Sequence, residues 1–201
     1  MKHIIIALYL SIATVWASGL TKKKIPAEFT FQVNPAETEV KWIGKKVTGQ
    51  HDGKVKIKSG NLIMKNGTWA RGEIVVDMNS MTVDDIKDPK GNAKLLGHLK
   101  NDDFFATDKF KTATLKVNSV TKKSPKYEVK GDLTIKGITK PIVFMADLAL
   151  SKSGTAVVTA DLTVDRTLYG VKYGSGKFFE NLGDKTINDN FTLKMKISAK
   201  R

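Results

Sequence analysis

The feature that most constrains this chain is a two-residue alternation of apolar and polar side chains, which recurs along almost all of its length. In residues 127–137, Val129 and Leu133 share one face of an extended chain, while Lys130 and Asp132 point the other way. Successive side chains of a β-strand point to opposite faces of its sheet. The alternation therefore predicts strands with one dry face and one wet face.

Six further stretches show the same alternation, and each has one apolar face: 53–58, 70–78, 113–117, 142–148, 156–164 and 191–197. In 70–78 the predicted inward face carries Ala70, Gly72, Ile74, Val76 and Met78. Residues typical of turns separate these runs at Asn66-Gly67, Ser124-Pro125, around Gly137 to Pro141, and at Ser153-Gly154. Such spacing is typical of hairpins and short loops, so neighbouring strands are expected to be antiparallel.

About eight strands of this kind can bury their dry faces either in a closed barrel or in a two-sheet sandwich. The strands are long, about nine to eleven residues, which favours the barrel because sandwich strands are commonly shorter. The chain has no cysteine, so no disulfide stabilises the fold. The prediction is an all-β protein: one antiparallel, lipocalin-like β-barrel of about eight strands, with no internal boundary between domains.

One segment departs from the two-residue period. Residues 92–101 place Leu95, Leu96 and Leu99 on one helical face. A short helix is therefore expected to cross or plug one end of the barrel. The adjacent aromatics Phe104 and Phe105 follow it and are expected to press onto the barrel mouth.

The N-terminus has the pattern of a signal peptide. Lys2 precedes an apolar run from Ile4 to Trp16, and small residues follow from Ala17. The run is shorter than the about 20 residues that a membrane span needs. We predict a signal peptide over 1–17 and a barrel domain over 18–201, and hence a periplasmic or secreted protein; an uncleaved anchor is the alternative.

The formal net charge is +14, yet the lysines are spread along the whole chain. This spread, together with export, argues against a nucleic-acid partner. It favours a solvated barrel exterior, with contact to anionic membrane surfaces as the second interpretation. Pairing of two barrels through an exposed edge, as a homodimer, stays open.

The inward face mixes large apolar residues with small ones: Gly72, Ala113, Gly131, Gly137, Ala146, Ala156 and Ala160. Two interpretations stand beside each other. The small residues leave volume for one apolar ligand, or the glycines permit close approach of neighbouring strands in a curved sheet.

Several segments, taken in order, resemble the YceI-like family of exported lipocalin-like barrels. They are 49–53, 76–81, 94–105, 129–141 and 165–173, and the resemblance covers nearly the whole chain after the predicted signal peptide. It implies a single bound long-chain lipid, such as an isoprenoid quinone or a polyprenyl chain. No cofactor or metal is implied.

Polar residues near strand ends, loops and the helix are the candidates to meet the head group of such a lipid: His51, His98, Asp103, Arg166 and Tyr169. The candidates to line its tail are Leu95, Phe104, Phe105, Ile135, Phe144 and Leu162. Structural or rim roles stay open for both histidines, as does metal binding or catalysis. His98 and Asp102 are four residues apart, so they could pair as a hydrogen-bonded cap on one helical face. Asp165 and Arg166 are interpreted first as an ion pair within a loop and second as a polar clamp for a ligand head group.

The sequence thus favours a protein that holds a long-chain apolar lipid, of the isoprenoid quinone, polyprenyl or fatty-acyl type, inside its barrel for transport, storage or sequestration in the cell envelope. The alternative is an envelope stress or interaction protein whose barrel is filled by its own side chains. A lipid-modifying enzyme is a weaker hypothesis, because the sequence has no serine or cysteine nucleophile motif, phosphate loop or cluster of metal ligands. We predict that the protein is not an enzyme.

Overall fold

The computed structural model of the protein describes residues 27–201, so the predicted signal peptide at 1–17 lies outside it. It has nine strands: β1 Glu28–Val33, β2 Glu39–Lys46, β3 Gly49–Lys65, β4 Thr68–Asp77, β5 Thr112–Lys123, β6 Lys126–Ile135, β7 Ile138–Leu150, β8 Thr155–Asp165 and β9 Ile187–Lys200. Short connections join most of them, and two long ones, 78–111 and 166–186, precede β5 and β9. One α-helix, α1, spans Pro89–Lys100. No helix within 27–201 is long and apolar enough to cross a membrane.

The strands form one closed antiparallel barrel. Eight long strands follow one another around it in the order β3, β2, β9, β8, β7, β6, β5 and β4, and the pairing of β4 with β3 closes the ring. The short strand β1 pairs with both β3 and β9 beyond the start of β2. The predicted barrel is therefore confirmed, and the sandwich is excluded for this part of the chain.

Helix α1 lies across one end of the barrel, which we call the helix end. It begins at Pro89, three residues earlier than predicted, because the Asp88 carboxylate accepts a hydrogen bond of 2.7 Å from the Gly91 amide and caps the helix. Proline is well tolerated in the first helical turn, where its missing N–H costs nothing. The side-chain amide of Asn92 fastens the helix by donating to two carbonyls of the preceding loop, at 2.8 and 3.0 Å.

Two local predictions were wrong: the inward position of Ala70 and the extent of the turn near Gly137. A register shift in the β3–β4 pairing pairs Ile63 with Arg71 and the next residue with Trp69. This bulge turns Trp69 inward, where it is 2% exposed, and leaves Ala70 out of the buried face. The turn predicted around Gly137 to Pro141 is also tighter than expected. Lys136 and Gly137 both adopt positive φ, and β7 begins directly after them at Ile138.

The barrel interior has two parts. The cavity half adjoins the helix end and contains the inward side chains around Trp42, Ile57, Leu115 and Leu162. The packed half lies at the opposite end and contains tightly buried side chains: Phe31, Leu62, Met64, Trp69, Val129, Phe144, Ala146, Ala156, Val158, Ile197 and Ala199. Both halves form one continuous hydrophobic core.

Of the seven small inward residues, only Ala113 lines the open volume of the cavity half. A Cβ at Gly131 would lie 2.3 Å from the Lys116 carbonyl oxygen, and one at Gly72 would lie 2.4 Å from that of Asn61. Ala146 and Ala156 are fully buried in the packed half. These four residues permit close strand contact, as the second interpretation expects, whereas Ala113 leaves volume, as the first interpretation expects.

Candidate functional site

The cavity half encloses an interior cavity of about 90 Å³. Among the described residues, its lining side chains are apolar with one exception, Thr114. They come from seven of the eight barrel strands, all but β7, and from helix α1 and the segments on either side of it: Val40, Trp42, Val55, Ile57, Ile74, Val76, Met78, Met81, Leu99, Phe105, Ala113, Thr114, Leu115, Leu133, Ile135, Leu162, Phe191, Leu193 and Met195. An apolar enclosure with no charged group suits a hydrocarbon and disfavours an ion, which would lose its hydration there.

A second cavity, the mouth, opens at the helix end and has a volume of about 330 Å³. Its lining combines apolar side chains with charged and polar ones: Trp42, Gly44, Lys45, Lys46, His51, Leu95, His98, Leu99, Phe104, Phe105, Arg166, Asp184, Lys185, Ile187, Asn188 and Phe191. The two cavities thus differ in polarity, as the two ends of an amphipathic ligand do.

Four side chains line both cavities, and we call them the neck: Trp42, Leu99, Phe105 and Phe191. The Trp42 indole N–H donates to the Thr82 carbonyl at 3.0 Å, which fixes the ring. The rings of Phe105 and Phe191 meet edge to face, with centroids 6.3 Å apart. Any chain that reaches from the mouth into the interior must pass between these side chains.

The loop after α1 positions Phe105. Its amide donates to the Leu99 carbonyl at 3.1 Å, so the chain folds back on the helix end. The neighbouring Phe104 is buried and packs against the His98 ring at a centroid distance of 4.8 Å. His98 also meets the Tyr173 ring edge to face, at 4.6 Å. These aromatic contacts hold His98 at the rim of the mouth.

Both histidines have acidic partners. His51 Nδ1 lies 2.7 Å from the Asp85 carboxylate, and His98 Nε2 lies 3.4 Å from Asp103. Burial alone would raise the pKa of Asp85, but the hydrogen bonds from His51 and from the Asp52 amide outweigh it and hold the pKa below its usual value. The expected pairing of His98 with Asp102 is wrong, because Asp102 accepts from Lys109 at 2.7 Å instead.

Arg166 is 4% exposed, and it fastens the loop beside the mouth, residues 166–186, which connects β8 to β9. Its guanidinium donates to three backbone carbonyls, those of Val171 at 2.8 Å, Ile187 at 3.0 Å and Asn188 at 3.0 Å. Burial lowers its pKa, while the nearby carboxylates of Asp189 and Asp165 oppose that shift. Most of its donors are thus used within the protein.

Asp165 caps the 3-10 helix Arg166–Tyr169 and does not pair directly with Arg166. Its carboxylate accepts from the Thr167 amide at 2.9 Å and from Lys177 at 3.0 Å. Lys177 also lies 3.1 Å from Asp189, so it bridges the two carboxylates. The interpretation of Asp165 and Arg166 as a loop ion pair was therefore wrong: Asp165 pairs with Lys177, and the carboxylate nearest to Arg166 is that of Asp189, at 3.9 Å.

The structure distributes the predicted site residues as follows. Five line the mouth alone: His51, Leu95, His98, Phe104 and Arg166. Phe105 lines both cavities, and Ile135 and Leu162 line the interior cavity. Three lie in neither: Asp103, whose side chain is 57% exposed, Tyr169, which is buried under the loop, and Phe144, which belongs to the packed half.

Sequence reasoning missed several lining residues. Trp42 and Phe191 belong to the neck, and Lys45, Lys46 and Lys185 line the mouth. Phe191 stood on a predicted inward face, so its alternation was a usable signal. Trp42 was available in the same way, since Val40 and Trp42 share a face of β2. The three lysines carried no signal that distinguished them from the other lysines.

Metal binding finds no support in the described residues 27–201. No group of three or more histidine, cysteine, aspartate or glutamate side chains lies close enough together there to hold an ion. His51 and His98 each face one carboxylate.

Similarity to known proteins identifies the family of this chain. The sequence model of the YceI-like domain family matches residues 31–199. This range is most of the chain and includes all nine strands in whole or in part. The chain belongs to the YceI-like family. The resemblance inferred from the sequence segments is therefore confirmed.

Curated relatives in this family match over shorter stretches. A UPF0312 protein of Photorhabdus laumondii is 43% identical over 51 residues, which is 25% of this chain and 27% of that protein. A UPF0312 protein of Staphylococcus aureus is 39% identical over 82 residues, which is 38% of this chain and 46% of that protein. YceI of Shigella flexneri is 34% identical over 79 residues, which is 39% of each chain. The matches thus span less than half the length of these relatives.

Solved structures share the fold of this YceI-like protein. BcnA of Burkholderia cenocepacia superposes with a TM-score of 0.64 and 19% identity, over 83% of this chain and 99% of that one. A polyisoprenoid-binding domain from Saccharophagus degradans superposes with a TM-score of 0.64 and 14% identity, over 85% of this chain and 97% of that one. At these identities the likeness establishes the barrel fold.

Proposed function

We propose that this YceI-like protein binds one long-chain apolar lipid, of the isoprenoid or fatty-acyl type, inside its barrel. The tail occupies the interior cavity and the polar end lies in the mouth. The observation that carries the proposal is the interior cavity itself, because Thr114 is its only polar lining residue within 27–201 and it shares the four neck side chains with a partly charged mouth.

The two volumes define how a long chain must lie. A ligand the size of benzene fills an apolar cavity of about 150 Å³, whereas the interior cavity has about 90 Å³. A long tail therefore extends through the neck into the mouth, and the neck side chains turn aside to admit it. Met78, Met81 and Met195 line the interior and can adapt their shape, since methionine is unbranched and flexible.

Tail burial supplies most of the binding free energy in this arrangement, at about 0.8 kcal/mol for each buried methylene group. The isoprenoid class has support from the solved domain of Saccharophagus degradans, which is described as polyisoprenoid-binding. A fatty-acyl tail fits the same apolar enclosure. Which of the two classes binds more tightly therefore depends on the length and flexibility of the tail.

We further propose that the protein carries its lipid and does not convert it. None of the described side chains that line the interior cavity is titratable, so none of them can transfer a proton to or from the tail. Covalent chemistry on the head group would need a nucleophile in the mouth, and no serine, threonine or cysteine side chain of the described residues lines it.

Location in the cell envelope is a proposal that rests on the signal-like segment 1–17. Transport, storage or sequestration there fits a barrel whose connections after β2 and β8 carry exposed apolar side chains: Val47, Leu168, Tyr173, Phe178 and Phe179. Side chains of this kind can contact a membrane surface, with lysines such as Lys172 beside them for anionic head groups.

A barrel filled by its own side chains is the second candidate, and the packed half favours it, because Val129, Ala146 and Ala199 are fully buried there. Native mass spectrometry of the purified protein separates the two candidates. We expect a mass excess that organic extraction removes and that an added long-chain isoprenoid or fatty acid restores. A protein without bound lipid that also fails to take up either added lipid would contradict the carrier.

A further inference from the structure

The charged lining of the mouth has an excess of positive groups. Lys45, Lys46, Lys185 and Arg166 line it, against the single carboxylate of Asp184. Three of the four cations belong to the end of β2 and to the turn that leads into β9. The fourth, Arg166, is buried and donates to three carbonyls, so it serves the loop.

An irregularity in the β2–β9 pairing brings the lysines together. Gly44 pairs with Phe191, but Lys46, two residues later, pairs with Ile187, four residues earlier. The bulged segment of β9 includes the Asn188 carbonyl, to which Arg166 donates at 3.0 Å. Successive residues of a regular strand point to opposite faces. At this irregular site both Lys45 and Lys46 line the mouth, and Lys185 stands just before the start of β9.

Within residues 27–201, the ammonium groups of these three lysines form no salt bridge. Elsewhere on the same strands, Lys41 lies 2.7 Å from Asp52 and Lys194 lies 2.9 Å from Asp161. In the described part of the chain, no carboxylate lies within 4.0 Å of the ammonium of Lys45, Lys46 or Lys185, and all three residues are exposed. Their like charges repel one another, and an anion placed among them would relieve that repulsion.

We propose that the lipid bound by this protein carries an anionic head group, a carboxylate or a phosphate monoester, held by Lys45, Lys46 and Lys185. This inference rests on the proposed function and narrows it, since a neutral quinone, amide or alcohol would leave the three charges without a partner. Lysine binds such anions as a compact point charge with three donors. Because the lysines are exposed, salt screens the attraction.

Two pairs of ligands with matched tails test the proposal. The first pair is a long-chain fatty acid and the alcohol of the same chain length, and the second is farnesyl phosphate and farnesol. For wild type we expect the anion of at least one pair to bind about tenfold more tightly than its alcohol, as three modest exposed charge interactions would give. The pair that shows the larger ratio identifies carboxylate or phosphate as the head group.

The variant Lys45→Gln/Lys46→Gln/Lys185→Gln should reduce the affinity for the anion to that for the alcohol, without changing the affinity for the alcohol. A matched control, Lys122→Gln/Lys123→Gln/Lys126→Gln, removes the same charge at the β5–β6 turn at the opposite end and should preserve the ratio. Equal binding of anion and alcohol to wild type would overturn the anionic head group and leave the lipid carrier standing. Binding of neither member of either pair would overturn both.

Discussion

The two halves of this barrel are built from the same alternating strands, yet one is solid and the other encloses a cavity. In the packed half, Trp69, Phe31 and Met64 fill the interior, and β1 seals the wall between β3 and β9. In the cavity half, helix α1 and loops close the end, and their side chains stop at the neck. The comparison shows that the alternation determines which face of each strand is dry. The elements at the two barrel ends, β1 at one and helix α1 with its loops at the other, determine whether the interior is filled.

Addition of a single methyl group at Gly131, beside the packed half, should have a large effect on stability. In Gly131→Ala the new Cβ would lie 2.3 Å from the Lys116 carbonyl oxygen, and a backbone atom cannot turn aside. We expect destabilisation of about 3 kcal/mol, at the upper end of typical overpacking, measured by urea unfolding. In the control, Gly97→Ala, the new Cβ meets nothing within 4 Å, and the helix should gain up to about 1 kcal/mol. Equal stability of the two variants would show that the strand contact at Gly131 is not close.

Replacement of alanine by leucine in each half sharpens the comparison. Ala146 is fully buried in the packed half, so Ala146→Leu should cost about 1 to 3 kcal/mol in the free energy of unfolding. Ala113 lines the interior cavity, so Ala113→Leu fills existing space, and we expect little loss of stability but weaker lipid binding. Thermal unfolding and lipid titration measure the two effects. A sharp loss of stability in both variants, with binding unaffected by Ala113→Leu, would mean that the cavity half is as solid as the packed half.

Acid should loosen the loop at the mouth before it affects the packed half. Burial opposes ionisation of Asp165, but Thr167 and Lys177 outweigh it and lower its pKa; the Ser175 hydroxyl and Lys177 lower that of Asp189. Carboxylates with depressed folded pKa values stabilise the fold above their unfolded pKa of about 3.9, and this stabilisation is lost as the pH falls through the folded value.

The expected loss from this source is on the order of 1 kcal/mol. Hydrogen exchange between pH 5 and pH 2, compared with Asp165→Asn, measures it: the variant should be less stable at pH 5 and should lose less on acidification. Asp147→Asn is the control, because Asp147 forms only an exposed pair with Lys126, at 3.4 Å. If Asp147→Asn changed the pH profile of the loop as strongly as Asp165→Asn, the carboxylate bridge through Lys177 would not be the cause.

The sequence predicted the strands and the helix because periodicity depends on local pattern alone. It also identified Phe105 at the neck and Leu162 in the interior. It could not show that Trp69 replaces Ala70 on the inner face, or that Lys45 and Lys46 both line the mouth, because each depends on a register irregularity between two distant strands. Arg166 was identified as a candidate for ligand contact, but only the folded loop shows its donors bound to carbonyls.

Each half contains one tryptophan, Trp42 at the neck and Trp69 in the packed half, and this permits a direct test of where the lipid lies. Two single-tryptophan proteins are needed, Trp16→Phe/Trp69→Phe and Trp16→Phe/Trp42→Phe, titrated with a fatty acid that carries bromine near the middle of its chain. Bromine quenches fluorescence at short range, and the unbrominated acid is the control. The account predicts strong quenching of Trp42 and little of Trp69. Quenching of Trp69 equal to that of Trp42, or saturable binding without quenching of Trp42, would contradict a tail that passes the neck into the cavity half.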